Sequence, residues 1–155
     1  MEYVTSPSDG DKGHENPFAS LHKETDDRKT LIFHRGKLTY LVLNRYPYNP
    51  GHVLAIPYRQ VADISLLTEE ERNELFALVV KAKNALHKVM KPDGFNIGLN
   101  LGSAAGAGIP THLHMHIVPR WKGDSNFLSV IGQTRTLSEA LEKTWEKLTD
   151  ACREE

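Results

Sequence analysis

Apolar residues recur along this chain in two rhythms. Between positions 68 and 90, Leu75, Phe76, Leu78, Val79, Ala82, Leu86, Val89 and Met90 fall mostly three and four residues apart, the spacing that lines one face of a helix. Thr68-Glu69-Glu70-Glu71 in front of them reads as a capping box, a hydroxyl and a carboxylate placed on free N–H groups. Pro92-Asp93-Gly94 ends the pattern, so a helix is predicted over about 69–90 with that stripe in the core. A second stripe, Leu137, Leu141, Trp145, Leu148 and Cys152, follows a second box at Thr136-Leu137-Ser138-Glu139 and predicts a C-terminal helix. Asn16-Pro17 reads as the N-cap and first position of a short helix through Phe18 and Leu21.

Elsewhere the period is two, or the apolar run is unbroken. Leu31–His34 and Leu38–Leu43 flank Arg35-Gly36-Lys37 and predict a hairpin. The prolines and glycine of Asn44 to Gly51 forbid regular structure, and His52–Pro57 follows as a third strand. Phe95, Ile97, Leu99 and Leu101 alternate with Asn96, Gly98 and Asn100 to give a fourth. A small-residue loop from Gly102 to Gly108 leads to a fifth, in which His112, His114 and His116 alternate with Leu113, Met115 and Ile117. On a strand the three histidines share one face and the apolar residues enter the core from the other. The element order predicts an α+β fold with a largely antiparallel sheet, helices over one face and the site on the other. Met1 to Glu15 has no apolar rhythm and is expected to be a flexible arm, leaving 16–155 as a single domain.

Composition narrows the classes of function. Nineteen basic and twenty acidic residues leave a net charge of −1, which argues against nucleic acid or an anionic membrane as partner. One cysteine, Cys152, excludes an intrachain disulfide and a multi-cysteine zinc site. No apolar run has membrane-spanning length, so a soluble, cytoplasmic protein is expected.

The histidines carry the candidate chemistry. A fold gains nothing from three imidazoles on one side of a strand, since each ring nitrogen needs a partner if buried. Neighbouring members lie about 6.6–6.8 Å apart and the outer pair roughly 13 Å apart on strand geometry. An unbent strand therefore cannot bring all three to one ion. Nucleophilic or acid–base catalysis fits better, with the middle histidine attacking and its neighbours serving the electrophile and leaving group. Gly102, Gly106 and Gly108 would let main-chain N–H groups approach an anion. His14, His22, His34 and His87 read as surface residues, and Lys81, Lys83 and Lys88 as a solvated helix face.

His112-Leu113-His114-Met115-His116-Ile117-Val118 resembles the signature of the histidine triad (HIT) superfamily of nucleotide hydrolases and transferases. Asn44-Arg45 and Pro50-Gly51-His52-Val53-Leu54 resemble a segment of its dinucleotide hydrolases. Gly98 to Gly102, the Gly-rich loop and Arg120 to Phe127 are similar to a bacterial subgroup that contains diadenosine tetraphosphate phosphorylases. The resemblance implies a five-stranded, mostly antiparallel sheet with a long central helix and a C-terminal helix, usually paired into a homodimer. It implies His114 as the nucleophile that forms a nucleotidyl-histidine intermediate, resolved by phosphate or water. His112 would orient that ring through its carbonyl, His116 would contact the phosphate and leaving-group oxygen, and His52 would support the row. Asn44 would bind ribose and Asn100 phosphate, with Ser103, Gly106 and Gly108 beside them. No tightly bound cofactor is implied; a divalent cation such as Mg²⁺ would arrive with the polyphosphate. Many relatives carry Cys-x-x-Cys near the N-terminus as part of a zinc site, but Asn16-Pro17-Phe18-Ala19 has neither cysteine, so no metal site is expected. The substrate expected is a dinucleoside polyphosphate. The alternatives are a nucleoside phosphoramidate or mononucleotide hydrolase, and a nucleotide-binding protein with incidental turnover.

Overall fold

The structure, a computed structural model, describes residues 16–124 and 134–154. The expected arm at 1–15 and most of the polar segment after Asp124 lie outside them.

Five strands form one antiparallel sheet: β1 (Ile32–Arg35), β2 (Thr39–Leu43), β3 (Val53–Pro57), β4 (Gly94–Leu99) and β5 (Met115–Arg120), in the order β1-β2-β3-β5-β4. Two short helices precede it, α1 (Pro17–Leu21) and α2 (Asp27–Thr30). The long helix α3 (Glu69–Met90) has the expected bounds, with Thr68 and Glu71 closing the capping box in both directions. Glu74 of α3 then ties the helix to the first hairpin, its carboxylate accepting from the Leu38 and Thr39 N–H groups and the Thr39 hydroxyl.

The core lies between α3 and one sheet face. Leu75, Leu78, Val79, Ala82 and Leu86 meet Leu41, Leu43, Val53, Ala55 and Ile117, all buried. The buried stripe is one residue narrower than the spacing predicts: Phe76 is 64% exposed, because it sits on the flank of a helix whose apolar face covers only part of the turn. The alternation of the fourth strand also overstates its burial. As β4 is an edge strand, Ile97 is 44% exposed.

The C-terminal helix α4 (Thr134–Arg153) is already helical two residues before Thr136, so the second box does not open it. It packs Leu148, Ala151 and Cys152 into the core and covers β1, where the Trp145 indole N–H donates to the Ile32 carbonyl at 2.7 Å. His22 and His34 are half-buried rather than on the surface; His22 packs against Tyr40 and Tyr58.

Candidate active site

The histidine row is not carried on a single strand. β5 begins at Met115, so His116 belongs to it while His112 and His114 sit in the segment that enters it. This segment is held by other means: the Leu113 N–H donates to the Val61 carbonyl at 2.7 Å, and Leu113 is buried. All three histidines and His52 are buried, against the expectation of a face free of the core. Burial makes each ring nitrogen accountable, and the partners fix every tautomer in turn.

His52 lies at the entry to β3. Its Nδ1 accepts from the Tyr48 backbone N–H at 3.1 Å and from the Asn44 amide at 3.3 Å. A backbone N–H can only donate, so His52 carries its proton on Nε2. That proton goes to His116 Nδ1 at 2.9 Å. His116 in turn must carry its own proton on Nε2, a buried atom with no partner among the described residues. The far end of the row follows the same logic. His112 Nε2–H donates to the Pro57 carbonyl at 2.8 Å, leaving Nδ1 to accept from the Asn16 amide at 2.8 Å. His114 Nδ1–H donates to the His112 carbonyl at 2.9 Å, which leaves its Nε2 with a free lone pair.

The electrostatics keep the row uncharged. Burial, with the neighbouring imidazoles adding to it, lowers His52 to about 3 and His116 to about 4. Burial lowers His112 and His114 as well, opposed by their carbonyl contacts. At neutral pH the site therefore presents one neutral, basic nitrogen at His114 and one orphaned N–H donor at His116, with ring centroids 5.0 Å apart. Such a pair can attack an electrophilic phosphorus and hydrogen-bond the charge that develops beside it.

Of the residues expected from sequence, His52, His112, His114, His116 and Asn44 come together. Asn44 lies behind His52, its amide donating there and its carbonyl oxygen accepting the Tyr46 N–H at 2.9 Å. Asn100 joins His116 in the wall of a cavity of about 450 Å³. Ser103, Gly106 and Gly108 are exposed in the preceding loop, and the Gly106 N–H is taken by the Ser103 carbonyl. Other residues of the site had no chemical signal in the sequence. Asn16 was legible as an N-cap; its Oδ1 does accept the Phe18 N–H at 3.1 Å, but its other half holds His112. Phe18 packs its ring on His112 and His114, at 5.8 and 5.0 Å between centroids. Tyr48 packs at a tilt on His52 and stacks on His116. Arg120 pairs with Asp124 through two nitrogens and donates to Asn96, while Asn49 donates to Asp124 and to the Pro119 carbonyl.

Residues 25–123 match the model of the HIT domain. A Mycobacterium tuberculosis protein named AP-4-A phosphorylase is 46% identical over 128 residues, taking in 83% of this chain and 65% of that protein. The chain thus spans just under two thirds of that relative. A Schizosaccharomyces pombe protein named bis(5'-nucleosyl)-tetraphosphatase (asymmetrical) is 42% identical over 93 residues, covering 60% of this chain and 50% of that one. Among solved structures, a HIT family protein from Bacillus anthracis superposes with a TM-score of 0.60 at 27% identity, over 76% of this chain and 81% of its own.

Proposed function

The chain belongs to the HIT domain family, and from that membership and its row of neutral imidazoles we propose that it cleaves dinucleoside polyphosphates by nucleotidyl transfer to His114. The observation that carries the reading is the tautomer of His114. Its Nδ1–H is spent on the His112 carbonyl, so Nε2 faces the substrate unprotonated. In the first step Nε2 forms a bond to the α-phosphorus, and the bond from that phosphorus to the bridging oxygen breaks. The oxygen leaves with the electron pair and takes a hydrogen bond from His116 Nε2–H. Water or phosphate then displaces His114 from the nucleotidyl group. The relatives named as a phosphorylase and as a tetraphosphatase support the substrate class.

A divalent cation such as Mg²⁺ is proposed to arrive on the polyphosphate. Among the described residues, no group of three or more His, Cys, Asp or Glu is placed to hold a metal ion. A cytoplasmic enzyme fits the single, buried Cys152, and among the described residues no helix is long and apolar enough to cross a membrane. A homodimer is proposed through β4 and α3. Ile97 on the sheet edge and Phe76 and Val80 on α3 are exposed, and Lys83 of α3 lies over the Phe95 ring, which sets the two elements side by side.

The test is product analysis on diadenosine tetraphosphate with and without inorganic phosphate. ATP with ADP marks phosphorolysis, and ATP with AMP marks hydrolysis. His114→Ala should lower turnover by about a thousandfold or more with the far-UV circular dichroism unchanged. A wild-type chain that leaves the substrate intact, or a His114→Ala variant with full activity, would overturn the reading.

A further inference from the structure

The cavity beside His116 extends away from the reacting nitrogen. Its walls are the β4 segment Asn96 to Asn100, Val118 and Arg120 of β5, and Tyr48 and Asn49 of the loop before His52. In the sheet register Gly98 lies opposite His116, Asn96 opposite Val118 and Gly94 opposite Arg120, so these residues share the face that carries the histidines. Residues along β5 thus follow in order: His114 before the strand, then His116, Val118 and Arg120.

We propose that this cavity is the subsite for the departing nucleotide, the polyphosphate-linked half of the substrate that does not become attached to His114. The inference rests on the cleavage reading above and specifies which half of the substrate lies where. In-line displacement sets the leaving oxygen opposite the attacking His114 Nε2. His116 lines the cavity, and its orphaned Nε2–H is buried beside it, so a leaving oxygen that takes this hydrogen bond directs its remaining phosphates past His116. The next groups in that direction are polar: Asn96 and the Arg120 guanidinium. Arg120 is oriented by Asp124 and Asn96, with N–H groups in excess of those contacts. Tyr48, 44% exposed and stacked nearly parallel to His116 at 17°, offers a flat apolar surface to a base or ribose. A volume of about 450 Å³ is of the size that holds a nucleotide.

Glycine at position 98 is what keeps the cavity open. A Cβ built there meets no atom within 4 Å, and its φ is not in the left-handed region, so a larger residue is compatible with the strand. Filling this space should exclude a bulky leaving group and spare a small one. The experiment compares two substrates that deliver the same nucleotidyl group: diadenosine tetraphosphate, and adenosine 5'-phosphorofluoridate, whose leaving group is a single fluoride. Gly98→Val and, separately, Asn96→Leu are assayed on both. For each variant kcat/KM on the dinucleotide should fall at least about tenfold relative to kcat/KM on the fluoridate. Equal losses on both substrates, or no loss on either, overturn the subsite. Should Gly98→Val fail to fold, Asn96→Leu alone carries the comparison. If the wild-type chain cleaves the fluoridate but not the dinucleotide, the cleavage reading fails on its own account, before any variant is compared.

Discussion

Asn16 joins the N-terminal helix to the histidine row, and replacing it separates the two jobs its side chain performs. Its Oδ1 caps α1 through the Phe18 N–H, and its Nδ2 donates to His112 Nδ1 at 2.8 Å. Asn16→Ala removes both. Loss of the cap costs about 0.5–2 kcal/mol, and leaving the buried Nδ1 of His112 unpaired costs about 1–3 kcal/mol. The expected loss is about 1.5–5 kcal/mol, a large part of the roughly 5–15 kcal/mol that stabilises a domain. Asn16→Asp keeps the cap, since Asp and Asn are equivalent there, but it turns an acceptor toward an acceptor. Both bonds at His112 can then form only if the ring is protonated on both nitrogens, to the carboxylate and to the Pro57 carbonyl. The variant should therefore raise the His112 pKa from its lowered position in the parent chain. The sign follows from comparison with the parent chain: a folded ring that takes up a proton more readily makes the variant gain stability relative to the parent as pH falls and lose it as pH rises. Histidine ¹⁵N correlation spectra give the protonation state, and urea denaturation at pH 6 and pH 8 gives the stability. A His112 that titrates no higher in Asn16→Asp than in the parent chain, or a urea midpoint unchanged in Asn16→Ala, would show that the contact does not hold the ring.

Acid should unfold the chain early. His52 and His116, at about 3 and about 4 in the folded chain, refuse protons that the unfolded chain accepts near its ordinary value of about 6.5. Stability is complete above that value and falls as pH drops toward the folded values, by up to about 1.4 kcal/mol per pH unit for each ring. A Tm that stays level from pH 7 to pH 5 would contradict the buried neutral row. Asp124, held to about 2 chiefly by Arg120, contributes only at lower pH. Gly51 has φ +80 and packs where a Cβ would lie 2.5 Å from Met90 Sδ and 3.1 Å from Leu86 and Pro119. Gly51→Ala should cost about 1–3 kcal/mol, read as a lower urea midpoint.

Local rules carried the sequence reading a long way. The bounds of α3, the first hairpin and the Asn16 cap are set by contacts within a few residues, so the sequence shows them directly. Phe76 and Ile97 misled because burial depends on which neighbour arrives: nothing local says that β4 lies at a sheet edge. The histidine row was legible as a site, yet its strand began later than the alternation suggested. His112 and His114 are shaped by Asn16, Pro57 and Val61, residues more than fifty positions away. Asn96 and Tyr48 were unmarked for a similar reason, and Arg120 was marked only as the start of a stretch and without a role, since single polar or aromatic residues acquire meaning only when β4, β5 and the loop before His52 meet.

The chain of donors that starts at the Tyr48 amide has a consequence for which way round a ligand can lie. Because that amide belongs to the main chain, the direction of the whole relay through His52 to His116 is written into the backbone and survives any side-chain change at position 48 other than proline. His116 must then meet a ligand as a giver of hydrogen, while His114 meets it as a taker. An asymmetric pair of this kind acts as a polarity filter: a substrate is accepted only with its electron-rich bridge toward one ring and its electron-poor centre toward the other.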